Sequence, residues 1–171
     1  TDGTRPSAVA ANAAAGFSIV NWIGDNNTAT IGHGLGKAPQ LIIVKKMTGT
    51  SDWPVYSSAL TSAAYRLLLN SEDAESTTND EWNSTDPTSS VFSVGSGGNV
   101  SDNGQEFIGY CFTSIAGYSK IGSYIGNGNT NGPVIYSGFQ PSWFLTIIMC
   151  SGSPTGGGVI LDDKSYPTNA T

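Results

Sequence analysis

Charge is the scarcest property of this 171-residue chain. Only 12% of its residues are charged, about half the usual share, and just seven are Lys or Arg. The thirteen acids leave a formal charge of −6 and an isoelectric point near 4.4. Phosphate recognition needs clustered cations. The basic residues here are scattered apart from Lys45-Lys46, so a nucleic-acid partner is not expected, nor is binding to an anionic membrane surface. No stretch approaches the roughly 20 apolar residues of a membrane-spanning helix, so membrane insertion is not expected either. No leader sequence is visible at the amino terminus, and Thr1 in place of Met suggests a processed chain or part of a longer one. Helical apolar periodicity beyond two turns is also missing.

Two cysteines and one histidine leave little for metal or nucleophilic chemistry. Cys111 and Cys150 lie inside apolar runs and read as small buried hydrophobes; a disulfide between them cannot be derived from sequence. A Ser-His-Asp arrangement would have to use His33. It lies between Gly32 and Gly34 in an expected turn, and no Gly-x-Ser-x-Gly elbow is present. No catalytic residue, cofactor or resident metal is assigned, and the chain is read as non-enzymatic.

What is abundant is glycine, 22 residues, together with Ser, Thr and Asn, which favour turns and strand ends. They punctuate short β-branched and aromatic runs. Strands are expected at Phe17 to Ile23, Thr30-Ile31, Leu41 to Lys46, Trp53 to Tyr56, Tyr65 to Leu69, Val91 to Val94 and Glu106 to Phe112. Leu41 to Val44 and Phe107 to Phe112 are apolar on both faces and belong inside a sheet. The expected fold is all-β, a jelly-roll-like β-sandwich. Residues 1–15 read as a linker or N-terminal arm, because an Ala-rich run without large apolar residues has nothing with which to dock.

The chain also repeats itself. Gly16-Phe17-Ser18 returns as Gly117-Tyr118-Ser119, and Trp22-Ile23-Gly24 as Tyr124-Ile125-Gly126. Asn27-Thr28, Gly36 and Pro39 return as Asn129-Thr130, Gly138 and Pro141, ahead of a second apolar run from Trp143 to Ile148. This divides the chain into a first β unit, 16–116, and a second, truncated one, 117–171.

Three features invite a chemical reading. The polar stretch from Ser71 to Ser90 carries Glu72, Asp73, Glu75, Asp80, Glu81 and Asp86. Their spacing fits neither a calcium loop nor a glycosidase pair; a solvated loop is the default, with Asp80, Glu81 and Asp86 the weak calcium candidates and Asp162-Asp163 weaker still. Trp82, the large apolar residue of that loop, and Trp53 are the candidates for stacking on a sugar ring; the competing role for Trp82 is to pin the loop to the sheets. Trp143 reads as buried.

The blocks Gly16 to Val20, Gly32 to Pro39, Ile42 to Lys45, Ser51-Asp52-Trp53, Val55-Tyr56-Ser57, Tyr110-Cys111-Phe112 and Gly117 to Gly128 occur in an order that resembles a repeat domain of marine tailed-bacteriophage virion proteins of the tail-fibre or receptor-binding kind. The resemblance spans roughly Gly16 to Tyr166, with Trp22 standing where that family carries Tyr. It implies a virion-surface, extracellular location and a structural or receptor-binding role by multivalent adhesion. It also implies assembly as a homo-oligomer, a trimer by preference, beside other virion proteins and against a host-surface glycan. The alternative is a carbohydrate-binding module of a larger secreted enzyme or adhesin.

Overall fold

The computed structural model describes residues 2–71, 73–78 and 80–147, and the backbone of 159–162. Among them there is no helix. Eleven strands are present: β1 Ser7–Asn12, β2 Phe17–Ile23, β3 Ala29–Gly32, β4 Leu41–Lys46, β5 Pro54–Ser57, β6 Tyr65–Leu68, β7 Ser76–Thr77, β8 Val91–Val94, β9 Glu106–Phe112, β10 Trp143–Thr146 and β11 Val159–Asp162.

Seven strands form one antiparallel sheet in the order β1-β2-β9-β4-β5-β6-β7. β3 and β8 form a separate two-stranded ribbon, as do β10 and β11. The all-β expectation holds, but the sheets do not have the jelly-roll arrangement. After β4 the chain turns back through β5, β6 and β7 and keeps extending the same sheet, so the layers are unequal.

β9 is an interior strand of the sheet. It pairs with β2 from Phe17↔Phe112 to Ile23↔Glu106, and with β4 from Leu41↔Phe112 to Lys46↔Phe107. Alternation along the strands gives each face its character. Val20 and Trp22 of β2, Phe107 and Cys111 of β9 and Ile42 and Val44 of β4 share the inner face and are buried. Trp22 is the hub of this core. Its ring stacks on Phe107 with centroids 5.6 Å apart and meets Phe92 of the β3–β8 ribbon edge-on at 5.8 Å. Its indole N–H donates to the Val100 carbonyl at 2.9 Å, so the polar end of the ring is satisfied inside the core. Gly109 is the residue that admits the ring: a Cβ there would stand 3.0 Å from Trp22 Cζ3.

Residues 1–15 do more than link. β1 pairs along its length with β2, from Ser7↔Trp22 to Asn12↔Phe17. Ahead of it Arg5 is buried, donating to Ser101 Oγ at 2.9 Å and Asn27 O at 3.0 Å and pairing with Asp25. A segment short of large side chains docks here through backbone pairing and one arginine.

Candidate functional site

The acidic stretch is largely consumed by the fold. Glu81 is buried and pairs with Arg66, which reaches in from β6. Asp86 accepts from the Tyr56 hydroxyl at 3.1 Å; that neighbour and burial together push the phenol above its ordinary range, burial being the larger cause. The Asp80 carbonyl accepts from Gly97 N–H at 2.9 Å. Among the described residues no three His, Cys, Asp or Glu side chains converge on a point that could hold a metal ion, so Asp80, Glu81 and Asp86 are not brought together. Glu72 and Asp163 lie outside the described residues, and of Asp162 only the backbone is described.

The two tryptophans raised for sugar stacking differ. Trp82 is 1% exposed and meets Tyr56 edge-on at 5.8 Å. Its ring is therefore withheld from solvent and anchors the loop to the sheet, which corrects its candidacy as a sugar platform. Trp53 is only half-buried, with the Lys45 ammonium 5.4 Å from its ring centroid.

His33 is buried. Nδ1 accepts from Leu35 N–H at 3.2 Å, which places the proton on Nε2, and Nε2 donates to the Thr88 carbonyl at 3.1 Å. Burial lowers its pKa, against opposing contributions from the Thr88 carbonyl and Asp2. Both nitrogens are spent on backbone, so the imidazole is a strut that ties the turn after β3 to the stretch before β8. Cys111 is a buried free thiol pushed up to about 12 by burial, with Ser18 acting in the opposite direction; Cys150 lies outside the described residues.

The surface feature that stands out is the tract from Gly117 to Ile147. Outside β10 it carries no strand among the described residues; the Ile115↔Ser119 bridge and the Ile121 N–H bond to Ser114 Oγ at 3.0 Å tie its start to the preceding residues, and Ile147 packs against the core. Ile125 is 91% exposed, Tyr136 87%, Trp143 58% and Tyr124 45%. This corrects the reading of Trp143 as buried. Residues 118–125 do not form the strand that residues 17–23 form.

The turns in this tract nonetheless match those of the first half. Gly16, Asn26 and Gly36 have φ of 67°, 62° and 70°; Gly117, Gly128 and Gly138, at the offsets of 101 and 102 residues found in the sequence, have 74°, 64° and 85°. The Asp25 carboxylate accepts from Asn27 N–H at 3.0 Å, and the Asn127 side-chain carbonyl accepts from Asn129 N–H at 3.1 Å. β4 and β5 pair from Leu41↔Ser57 to Ile43↔Val55, and β10 and β11 pair from Trp143↔Asp162 to Thr146↔Val159, a register three residues away from the one that an offset of 102 would give.

The architecture defines an antiparallel β module, without a helix among the described residues, whose described polar clusters serve the fold. The chain belongs to the family described as Domain of unknown function (DUF7483), which matches it over residues 1–171. No curated protein and no solved structure matches it.

Proposed function

We propose that this chain is a structural or receptor-binding module of a phage virion appendage, a tail fibre or surface spike, that works by multivalent contact and not by catalysis. The observation that carries the reading is the Gly117–Ile147 tract. It keeps the turn geometry of the first unit while presenting Tyr124, Ile125, Tyr136 and Trp143 to solvent. A protein that works alone gains nothing from such a surface, whereas a module in an array covers it with its neighbours. Support for a tandem repeat comes from the shared left-handed positions and the shared Asx turn. The open edge of β1, six uncharged residues without proline, favours a homo-oligomer, a trimer by preference, in which edges are covered. Each contact with a host-surface glycan would be weak, and several held on one particle would gain about 10²–10⁴-fold in avidity.

The virion setting rests on the sequence resemblance. Immunogold labelling of purified particles with an antibody to this chain tests it: gold confined to the tail or surface appendages is the expected result, and particles that carry none of the chain refute it.

A second reading, a carbohydrate-binding module of a larger secreted protein, draws on Trp53, which is half-buried against the core. A glycan array separates the two. Monovalent binding by the isolated chain that disappears in Trp53→Ala favours the module; binding seen only when the chain is clustered favours the appendage.

A further inference from the structure

The chain has three Asn-Gly pairs, Asn103-Gly104, Asn127-Gly128 and Asn131-Gly132. This dipeptide can react with itself. The backbone nitrogen of the second residue attacks the side-chain carbonyl carbon of the asparagine, and glycine has no side chain to block the approach. The reaction needs that nitrogen free and the asparagine able to turn towards it. The fold treats the three pairs differently.

Asn103-Gly104 is held through its backbone. Gly104 N–H donates to the Gly24 carbonyl at 2.9 Å, and Asn103 N–H donates to Asn26 Oδ1 at 3.0 Å beside the bridge Gly24↔Asn103. Gly24 has no room to yield, since a Cβ on it would stand 2.3 Å from Asp102 O. Asn127-Gly128 is held through its side chain. Asn127 Nδ2 donates to the Asn131 carbonyl at 2.8 Å, and Oδ1 accepts from Asn129 N–H at 3.1 Å. Asn131-Gly132 is the open pair. Both residues are exposed, and a Cβ at Gly132 would meet nothing within 4 Å. Among the described residues neither the Asn131 carboxamide nor Gly132 N–H has a hydrogen-bond partner; the Asn131 backbone is tethered only by exposed bonds to Asn127 and Asn129.

We propose that Asn131 is a site of spontaneous covalent modification. The Gly132 nitrogen bonds to Asn131 Cγ and closes a succinimide. The Cγ–Nδ2 bond breaks, and ammonia leaves with the proton from the Gly132 nitrogen. Water then adds to one of the two ring carbonyls. Opening at Cγ gives Asp on an ordinary backbone; opening at the main-chain carbonyl gives an isoaspartyl link that runs through the side chain. The balance is amide plus water giving carboxylate and ammonium, with no change of oxidation state. Either product puts a carboxylate into residues 117–147, whose one charged residue is Lys120. It lands just ahead of Val134, 98% exposed, and Tyr136, 87% exposed. Covering that apolar surface would then require desolvating a charge, so the modification sets it against burial. The chemistry needs only the chain and water and does not depend on the role proposed above.

The test incubates the full chain at mildly alkaline pH and digests samples over time. Mass spectrometry reads the exchange of amide for carboxyl in each Asn-Gly peptide, and enzymatic methyl-ester labelling reads the isoaspartyl form. In the native chain Asn131 should convert at least about ten-fold faster than Asn103, a difference of about 1.4 kcal/mol in barrier. In urea the gap should close, because the bonds that hold Gly104 are gone. Gly132→Val should slow conversion at Asn131 at least about ten-fold by crowding the attacking nitrogen. It should leave the urea midpoint unchanged, because position 132 is exposed and has open space around it. Equal native rates at Asn103 and Asn131 overturn the inference. So does a native chain that spares Asn131 while the unfolded chain converts it, or a conversion that Gly132→Val does not slow.

Discussion

Removing Arg66 alone should be far more damaging than removing Arg66 and Glu81 together. The Glu81 side chain is 2% exposed and that of Arg66 23%. Arg66→Met leaves a buried carboxylate with no cation beside it, which typically costs 3–5 kcal/mol. The guanidinium is partly solvated, which screens the pair and moves the expectation to the lower end, about 3 kcal/mol. With a urea m-value of about 2 kcal/mol/M for a chain of this size, the midpoint should fall by about 1.5 M. Arg66→Met with Glu81→Leu removes both charges and restores apolar packing, so it should lie within about 1 kcal/mol of the parent. Urea unfolding followed by tryptophan fluorescence reads this directly, because Trp82 is next in sequence to Glu81. A loss below about 1 kcal/mol in Arg66→Met, or a double variant as unstable as the single one, would show that the pair does not pin the 71–90 stretch to the sheet.

Three further outcomes follow from the geometry. His33 has a pKa below its ordinary value of 6.5, so the unfolded chain takes up the proton first as pH falls. Stability should therefore be full above that value and decline below it, and His33→Ala, about 2 kcal/mol less stable from two lost bonds, should lose this part of the pH dependence in urea titrations between pH 7 and 5; an identical slope in parent and variant would refute the role. Gly16→Ala adds a Cβ 2.4 Å from Thr113 O at a φ of 67° and should cost about 3 kcal/mol or more, whereas Gly117→Ala meets only the backbone term of about 1 kcal/mol; equal midpoint shifts in thermal denaturation would contradict the difference between the two positions. In a Cys150→Ser background, Cys111, with its thiol pushed up to about 12, should resist a disulfide reagent at pH 8 until urea unfolds the chain; rapid labelling of the native protein would contradict its burial.

The strands were legible because β-branched runs bounded by Gly, Asn and Pro carry their signal locally. Phe107 to Phe112 reads as an interior strand from its two apolar faces, and β9 does lie inside the sheet, between β2 and β4. β1 was not legible: Ala8, Ala10 and Ala11 have no strand preference, and only pairing with β2 holds them extended. Sheet order depends on contacts far apart in sequence, such as β2 with β9, which no local pattern encodes. The same distance hid the Arg66–Glu81 pair and the docking of Arg5 onto Asp25 and Ser101. Trp82 was misjudged because its sequence neighbours are polar, while the ring turns inward onto Tyr56. Trp143 was misjudged in the opposite sense. Its run resembles that of β4 in sequence, but β4 lies between β9 and β5, whereas among the described residues β10 pairs with β11 alone.

The measurement that bears most directly on the proposed role is a cryo-electron microscopy reconstruction of particles that carry the chain. The expected density places several copies in a tail fibre or surface appendage, with Tyr124, Ile125, Tyr136 and Trp143 covered by neighbouring subunits. Copies in which those four side chains still face solvent, or particles without the chain, would contradict it.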